Sequence, residues 1–396
     1  MTAIVSPVSV EPRLSDARRR RLVDDVRAIA LRHAVAVPRH DEAGTIHTAL
    51  VSDLCAAGYH LAPLDRRYGG GEYGLTDVVM AQVALAETDA ATALGFGMHL
   101  MAVGGETASL QWMADARHRL FSTVARNSAL VNVLATEPIM GSPQSDQRPV
   151  TALIPNGDGR WHLYGQKSYA TFAEIIQYAV VYASFEDGSG DVGRVLVPMR
   201  DMGVGIEHTW DTVGMRGTAS HTVHFSEIAL DDTNVLVRHA FEDRTRRPAM
   251  SAWFALPAAA AYLGIARTAR DEAVAAFRQP REGRRPAAEA DGRRNIAEIE
   301  WRLASSEALL MAAAAEADQQ DGSPGLSPLA AAAKLQLTRT AIEVVDLACR
   351  VAGGESLRRG SRLERAWRDV RCGTVHPPTD AAAQEILAAG ALSGAH

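Results

Sequence analysis

Cysteine is scarce in this 396-residue chain, which has only Cys55, Cys349 and Cys372. No two of them stand in a Cys-x-x-Cys pair, so the sequence gives no support to a structural zinc site or a dithiol redox centre. A reducing compartment is the simplest setting for so few cysteines in a chain of this length. We therefore expect a cytoplasmic protein without a metal centre.

Long apolar runs are also lacking. No segment approaches the roughly 20 apolar residues that a membrane-spanning helix needs. The N-terminal stretch "MTAIVSPVSVEPRLSDARRRRLVDD" has no apolar core of the length found in signal peptides. The net charge of -6 is small for the length, which gives no reason to expect nucleic acid or an anionic membrane as a partner. The sequence predicts a soluble protein.

Aromatic residues make up only 6% of the chain, whereas alanine is frequent and 47% of the residues are hydrophobic. Alanine is the strongest helix former, and its abundance favours closely packed helices. A chain of 396 residues is too long for one ordinary core, so we expect two or three packed domains.

Three segments follow one another along the chain. Residues 1–129 predict an N-terminal helical domain, because apolar residues recur at helical spacing and Thr76 or Asp77 can cap a helix that starts there. Residues 130–237 contain short β-rich pieces punctuated by Gly, Asp and Pro, which predicts a compact antiparallel β-domain. Residues 238–396 contain long alanine-rich helices joined by short loops, which predicts a four-helix-type bundle. The predicted class is α+β, mostly α.

Several motifs occur in a defined order. "YGGGEYGLTD" lies between early helices, "ATEPIMGS" stands at the entry to the β-domain, and "GQKSYATFA", "WDTVGMRGTAS" and "VAGGESLRRGSRLERAWRDVR" follow. In this order they resemble the motifs of the acyl-CoA dehydrogenase superfamily over nearly the whole chain. The C-terminal version, in which Trp-Arg-Asp-Val-Arg precedes a histidine, is most similar to the branch that includes reduced-flavin-dependent monooxygenases. The resemblance implies an acyl-CoA dehydrogenase-like fold with FAD as cofactor.

The resemblance places two motifs against the flavin. The strand that ends in "ATEP" would lie along the pyrimidine side of the ring, where amide and hydroxyl donors stabilise the negative charge of reduced flavin. In "SYATFA" the threonine would face N5 and the tyrosine would shield the face of the ring. The residues implied for the cofactor in these motifs are Leu134, Ala135, Thr136, Ser142 (towards the pyrophosphate), Tyr169 and Thr171. The family usually has Asn where this chain has Phe172.

Two further segments are implied in binding the distal part of FAD. In the family, an arginine on the loop after the first bundle helix reaches the pyrophosphate of the neighbouring subunit's flavin, and a planar guanidinium suits that bidentate role. The candidates here are Arg281, Arg284 and Arg285. This contact implies a homo-oligomer, either a dimer or a tetramer. Arg350, Gly353 and Gly354 match the segment that meets the adenine and the pyrophosphate, although the family often has Gln in place of Arg350.

The catalytic carboxylate of the family is missing. An acyl-CoA dehydrogenase removes an α-proton with a positioned base, usually a Glu. The commoner position of this Glu, eight residues after the Asp of the Arg-Asp motif, holds Pro377, and the other, in the first bundle helix, falls near Phe254. Trp253 and Phe254 would instead bind the substrate by narrowing its cavity.

Two histidines gain interest for this reason. His376 directly precedes the empty Glu position, and His99, in "GFGMHL", belongs to a helix that lines the active-site side of the resembled fold. In the related monooxygenases, histidines at these positions and a Ser or Thr at the position of Thr171 surround the reactive edge of the flavin. An imidazole can donate to an activated oxygen or accept a substrate proton near neutral pH. His376, His99 and Thr171 are the predicted catalytic residues.

The sequence leaves three functions open. The first, placed first on family frequency, is FAD-dependent α,β-dehydrogenation of an acyl thioester, bound to CoA or a carrier protein, with a non-standard base and an electron-transfer flavoprotein as partner. The second is a two-component monooxygenase that takes reduced flavin, FAD or FMN, from a flavin reductase and uses His99 and His376 to oxygenate a small molecule. The third is a flavin-binding scaffold that has no catalytic activity.

Overall fold

The structure is a computed structural model, and it describes residues 14–138, 147–157, 159–243, 251–279, 286–320 and 325–393. Within these ranges the chain runs from helices to a sheet and back to helices. The predicted α+β class and the order of its three parts are confirmed. The boundaries at residues 129 and 237 stay predictions, and the described strands extend from Val131 to Ala240.

Six helices form the described N-terminal part. They are α1 (Leu14–His33), α2 (Val37–Ala43), α3 (Thr48–Ala56), α4 (Leu75–Ala86), α5 (Ala90–Ser109) and α6 (Ala114–Asn127). The inner pair, α4 and α5, is buried around most of its circumference, as expected of helices enclosed by other elements. α5 begins where the carboxylate of Asp89 accepts the backbone amide of Thr92, which caps the helix.

Eight strands form one sheet in the described middle part. They are β1 (Val131–Leu134), β2 (Ala152–Pro155), β3 (Arg160–Ala170), β4 (Tyr178–Phe185), β5 (Asp191–Pro198), β6 (Val204–Glu207), β7 (His221–Asp231) and β8 (Val235–Ala240). Seven of them follow the order β6-β7-β3-β2-β4-β5-β8, and β1 pairs with β4. Most pairs are antiparallel as predicted, but the sheet is mixed because β1 and β2 both run parallel to β4.

Five helices form the described C-terminal part. They are α7 (Ala252–Arg278), α8 (Pro286–Ala317), α9 (Pro328–Ala352), α10 (Arg362–Asp369) and α11 (Asp380–Leu392). α7 packs against both α9 and the N-terminal helices α4 and α5. A Cβ at Gly264 of α7 would lie 2.5 Å from that of Ala86 in α4, so this close approach requires glycine. No helix in the described ranges is both long enough and apolar enough to span a membrane.

The start of α4 is capped from the C-terminal part of the chain. The carboxylate of Asp318, just beyond α8, accepts the amides of Leu75 (2.6 Å) and Thr76 (2.9 Å). The expected capping by Thr76 or Asp77 was therefore wrong, since Asp77 instead pairs with Arg19 at 2.7 Å. The carboxylate satisfies amides that lack partners at a helix start and complements the positive end of the helix dipole.

The Arg-Asp dipeptide at the end of α10 joins all three parts. The Arg368 guanidinium donates to both carboxylate oxygens of Asp41 in α2, at 3.2 and 2.5 Å, and to the carbonyl of Val213 between β6 and β7, at 3.1 Å. The next carboxylate, that of Asp369, accepts the amide of Met215 at 2.6 Å. Two adjacent side chains of the bundle thereby hold one N-terminal helix and one loop of the sheet.

We expect Arg368→Met to destabilise the protein by about 3–5 kcal/mol, because it leaves the largely buried Asp41 carboxylate without its partner. Thermal and chemical denaturation would report the loss. Arg358→Met serves as the control, since the Arg358–Glu355 pair is 71% and 68% exposed and such surface pairs contribute below about 1 kcal/mol. Equal effects of the two substitutions would contradict the role of the junction.

Candidate active site

The ends of β1 and β3 meet, which brings the "ATEP" and "SYATFA" motifs together. Leu134, the last residue of β1, is buried, and Ala135 and Thr136 after it are half-buried. The carbonyl of Thr136 accepts the amide of Ser168 at 3.0 Å. The Thr136 hydroxyl forms no hydrogen bond with another described residue. Two motifs some 30 residues apart in the chain therefore form one surface.

Thr171 is buried and fixed by hydrogen bonds on several sides. Its hydroxyl lies 2.9 Å from that of Ser220, which in turn lies 2.9 Å from the hydroxyl of Thr218. Its carbonyl accepts the side-chain amide of Asn132 at 2.9 Å, and its own amide donates to the carbonyl of Tyr169 at 2.9 Å. The position predicted to face flavin N5 thus belongs to a row of three hydroxyls, of which the sequence motifs indicated only the first.

The backbone around Thr171 turns twice through the left-handed region. Tyr169 and Phe172 have φ values of +57° and +59°, which are uncommon for bulky residues and cluster at functional sites. The Tyr169 ring is 66% exposed, whereas Phe172 is 1% exposed. Phe172 lies directly against α5, where a Cβ at Gly95 would come within 2.2 Å of its ring. The residue that replaces the usual Asn of the family therefore packs inwards.

A buried ion pair that the sequence did not predict joins the "ATEP" motif to β3. The Lys167 ammonium in β3 donates to the Glu137 carboxylate at 2.6 Å, and the two residues are 0% and 3% exposed. Glu137 also accepts the amides of Val150 and Thr151 at 2.8 and 3.0 Å. Burial lowers the pKa of Lys167 to about 8 despite the opposing pull of the carboxylate. The pair fixes the residue that follows Thr136 to β3.

His99 joins α5 to the start of the sheet. Its Nδ1 accepts the amide of Val131 at 3.0 Å, and its Nε2 lies 2.9 Å from the carbonyl of His60, to which it donates. The ring is 2% exposed, and burial is the main cause that lowers its pKa to about 3. His99 is therefore a neutral imidazole with both nitrogens in backbone hydrogen bonds, and its catalytic role stays a prediction.

His376 is held by two buried residues of the bundle. Its Nδ1 lies 2.7 Å from the Tyr262 hydroxyl of α7. Lys334 of α9 donates to the carbonyl of Gly373, three residues before His376, at 2.9 Å. Burial, assisted by the charge of Lys334, lowers the pKa of His376 to about 4. His376 is neutral at physiological pH, and its Nε2 forms no hydrogen bond with another described residue.

The described residues fit a flavin. The exposed Tyr169 ring offers a flat face, and the half-buried chain at Ala135 and Thr136 with the hydroxyl of Thr171 offers a polar edge beside it. A flavin presents the same combination of a planar apolar ring and a hydrogen-bonding rim.

Comparison with known proteins identifies the family. Three family profiles match in chain order: acyl-CoA dehydrogenase, N-terminal domain, over residues 16–112; middle domain, over residues 132–228; and C-terminal domain, over residues 252–392. The chain belongs to the acyl-CoA dehydrogenase family. It is therefore, by class, a flavin-dependent oxidoreductase.

Individual relatives of this family differ in the reactions for which they are named. YdbM of Bacillus subtilis (strain 168), named for the acyl-CoA dehydrogenases, is 34% identical over 96% of this chain and 98% of its own. The amino sugar nitrososynthase DnmZ of Streptomyces peucetius is 30% identical over 85% of this chain and 84% of its own. The solved structure of KijD3 in complex with FMN and dTDP-3-amino-2,3,6-trideoxy-4-keto-3-methyl-D-glucose has a TM-score of 0.82 to this chain. Its sequence is 25% identical, and the match covers 97% of this chain and 95% of that of KijD3.

The two positions of the family's catalytic Glu carry no acid in the structure. Pro377 follows His376, and Phe254 lies in the first turn of α7. Trp253, beside Phe254, packs on α5, where a Cβ at Gly104 would come within 2.3 Å of the indole. Of the predicted substrate-binding pair, Trp253 therefore lies where α5 and α7 meet, and Phe254 follows it in α7.

The other predicted cofactor residues lie at the end of α9 or outside the described residues. Arg350 is exposed in the last turn of α9. Gly353 ends this helix with a φ of +71°, a conformation that favours glycine, whereas a Cβ at Gly354 would meet nothing within 4 Å. The predicted residues outside the described ranges are Ser142, Arg281, Arg284 and Arg285. The roles of all these residues stay predictions.

Sequence reasoning missed Ser220, Tyr262, Lys334 and the Lys167–Glu137 pair. One signal was available, because Lys167 stands in the inward-facing register of β3 and Glu137 belongs to the quoted "ATEP" motif. A charged residue in a buried strand position requires a partner.

Lys167→Met should destabilise the protein by about 3–5 kcal/mol, since it leaves the Glu137 carboxylate buried and unpaired. In the double variant Lys167→Met/Glu137→Gln most of this loss should disappear, because no buried charge remains. A double-mutant cycle from denaturation curves measures the coupling. If the single and double variants were equally unstable, the pair would not be the source of the effect.

Proposed function

We propose that this chain is a reduced-flavin-dependent monooxygenase that oxygenates a small molecule, with FMN or FAD delivered in reduced form by a partner flavin reductase. The hydrogen bond between Tyr262 and His376 carries the proposal, because it determines what the His376 ring can do. A homo-oligomer, either a dimer or a tetramer, is part of the proposal.

The Tyr262 hydroxyl acts as the donor in this hydrogen bond. Tyr262 is completely buried, and burial raises the pKa of its phenol well above the usual value, so the hydroxyl keeps its proton. Among the described residues its acceptor is Nδ1 of His376. A neutral imidazole that accepts at Nδ1 carries its single proton on Nε2. His376 therefore presents a hydrogen-bond donor at its remaining nitrogen.

This state suits stabilisation of an oxygen better than removal of an α-proton. A group with a pKa near 4 is a weak base at neutral pH, and Nδ1 is already occupied by the tyrosine. Neither family position of the catalytic carboxylate supplies an alternative, since Pro377 and Phe254 stand there. A neutral Nε2–H, by contrast, can donate to an oxygen atom on which negative charge develops.

The remaining residues have roles consistent with this reaction. Ala135 and Thr136 would hold the pyrimidine side of the flavin, and the hydroxyls of Thr171 and Ser220 would line its N5 edge. Reduced flavin, when bound, supplies two electrons for the activation of O2, after which one oxygen atom passes to the substrate and the other leaves as water. His376 would donate a hydrogen bond from Nε2 to the oxygen that is being activated and would orient it.

The named relatives indicate a substrate class to test first. DnmZ is an amino sugar nitrososynthase, and KijD3 was solved with FMN and a dTDP-linked amino sugar. We therefore propose an amine-bearing small molecule as the first candidate substrate. The bulky Trp253 beside α5 favours a compact substrate, since it narrows the meeting point of α5 and α7.

A second candidate function is dehydrogenation of an acyl thioester. The 34% identity to YdbM over 96% of this chain favours it. It requires a base other than the usual carboxylate and an acceptor such as an electron-transfer flavoprotein. A third function, a flavin-binding scaffold without catalysis, predicts binding of flavin with turnover of neither substrate class.

Two assays separate these functions. With a reductase, reduced FMN or FAD and 18O2, the monooxygenase should insert one labelled oxygen atom into an amine substrate, as detected by mass spectrometry. Under anaerobic conditions, oxidised flavin on the protein should not bleach with acyl-CoA thioesters of short, medium or long chain. Bleaching by a thioester would overturn the proposal in favour of the dehydrogenase.

Tyr262→Phe should lower the rate of oxygenation by about 10- to 100-fold. Without the tyrosine hydroxyl, the single proton of His376 is no longer confined to Nε2 and can reside on Nδ1. A positioned proton donor contributes at least this much to a rate. His376→Ala should abolish turnover. The matched control is Tyr68→Phe, which removes a similar bond to Nδ1 of His118, 2.9 Å long, in the N-terminal part. Turnover within about twofold of the parent protein is expected for this control, and an equal loss in both Tyr variants would contradict the assignment.

A further inference from the structure

Lys334 is a buried lysine that has no carboxylate partner within the part of the chain that the structure describes. It is 0% exposed, and its ammonium donates to the carbonyl of Gly373 at 2.9 Å. No carboxylate of the described residues forms an ion pair with it. Lys167 differs in this respect, because it is equally buried but bonds to the Glu137 carboxylate at 2.6 Å.

Such an arrangement is costly for stability. An ammonium loses its hydration on burial, and a single carbonyl dipole replaces only part of it. Burial accordingly lowers the pKa of Lys334 to about 8, although Asp380 at the start of α11 opposes the change. Methionine would fill a similar volume at no electrostatic cost, so the charge calls for another explanation.

The charged and titratable groups around His376 come from several elements. Tyr262 of α7 occupies Nδ1, and the positive charge of Lys334 of α9 opposes protonation of the ring. Asp380 of α11 acts on Lys334, while Asp369 and Cys372, at and after the end of α10, act on Tyr262. Lys334 is the charged group in this set that acts directly on the imidazole.

We propose that Lys334 is a positioning residue for His376: its ammonium anchors the Gly373 carbonyl, which fixes the chain leading to His376, and it brings a buried positive charge to that chain. Through this charge Lys334 keeps the ring in its neutral form, with Tyr262 on one nitrogen and a proton on the other. The importance for turnover rests on the proposed function, whereas the effect on the His376 ring does not.

The two roles of Lys334 are separable by substitution. Lys334→Gln keeps an N–H donor for the Gly373 carbonyl but removes the charge, and Lys334→Met removes both. Without the charge, the protonated imidazole is less disfavoured, so the pKa of His376 should rise by about one pH unit or more, the order of magnitude expected when a nearby positive charge is removed.

The measurement is an NMR titration of the flavin-free protein, with the His376 ring signals assigned by their absence from the spectrum of His376→Gln. In the parent protein the ring should stay neutral down to pH 5, because its pKa lies near 4. In both Lys334 variants a titration should appear above pH 5. An unchanged titration in Lys334→Gln would overturn the proposal, and this variant is sufficient if Lys334→Met does not fold.

Thr338→Val is the matched control. Thr338 lies one turn further along α9, is 0% exposed, and contacts the same glycine, since a Cβ at Gly373 would lie 3.1 Å from its methyl group. This substitution disturbs the packing without changing a charge, so the His376 titration should not move. A shift as large as that in Lys334→Gln would show that packing, not charge, controls the ring.

The outcomes for positioning and for function are distinguishable. A shifted titration together with absence of oxygenation in the parent protein would support the role of Lys334 and reject the proposed function. Oxygenation in the parent protein with an unshifted titration in the variants would do the reverse. If both hold, the acid limb of the pH–rate profile should move upwards in Lys334→Gln with the ring pKa.

Discussion

The candidate site depends on how the three parts of the chain are joined, and two adjacent side chains of the bundle, Arg368 and Asp369, bond to both of the other parts. The predicted site takes α5 from the N-terminal part, the ends of β1 and β3 from the sheet, and α7, α9 and the chain after α10 from the bundle. No single part contains it. The distances among the functional groups therefore depend on how the three parts are joined. The guanidinium of Arg368 makes a bidentate bond to Asp41 of the N-terminal part and a further bond to the Val213 carbonyl beside the sheet.

Two buried lysines show how differently the same group can be used. Lys167 is neutralised by Glu137, and the pair holds the motif that ends β1. Among the described residues Lys334 has no such partner, and its charge lowers the pKa of His376. In the proposed arrangement Tyr262 of α7 donates to that imidazole, so this hydroxyl and the charge of Lys334 on α9 would together determine where the proton of His376 lies.

Local patterns in the sequence were sufficient for the order of helices and strands and for the family motifs. Helical and strand periodicities depend on neighbours within a few residues, and these predictions were confirmed. The cap of α4 was wrong because its carboxylate, Asp318, lies 242 residues from Thr76 in the chain. The mixed sheet was missed for a similar reason, since the direction of the four-residue strand β1 is set by its pairing with β4.

The candidate site was only partly accessible from the sequence. The motifs indicated Thr136, Thr171 and His376 as candidates. They did not indicate the groups that bond to them or to the chain beside them, because Ser220, Tyr262 and Lys334 belong to other elements. Resemblance also could not show that both nitrogens of His99 are engaged by the backbone. Such details follow only from three-dimensional contacts, because the type of a residue does not determine which hydrogen-bond partner its side chain takes.

The glycines of α5 have a consequence for the width of the site. Gly95 and Gly104 are nine residues apart, which is two and a half turns, so they lie on opposite sides of the helix. Phe172 from the sheet rests on one and Trp253 from the bundle on the other. At these two positions α5 has no side chain, so its backbone alone separates the two aromatic rings. The gap between sheet and bundle is consequently set by main-chain atoms, whose dimensions do not vary with side-chain rotamers.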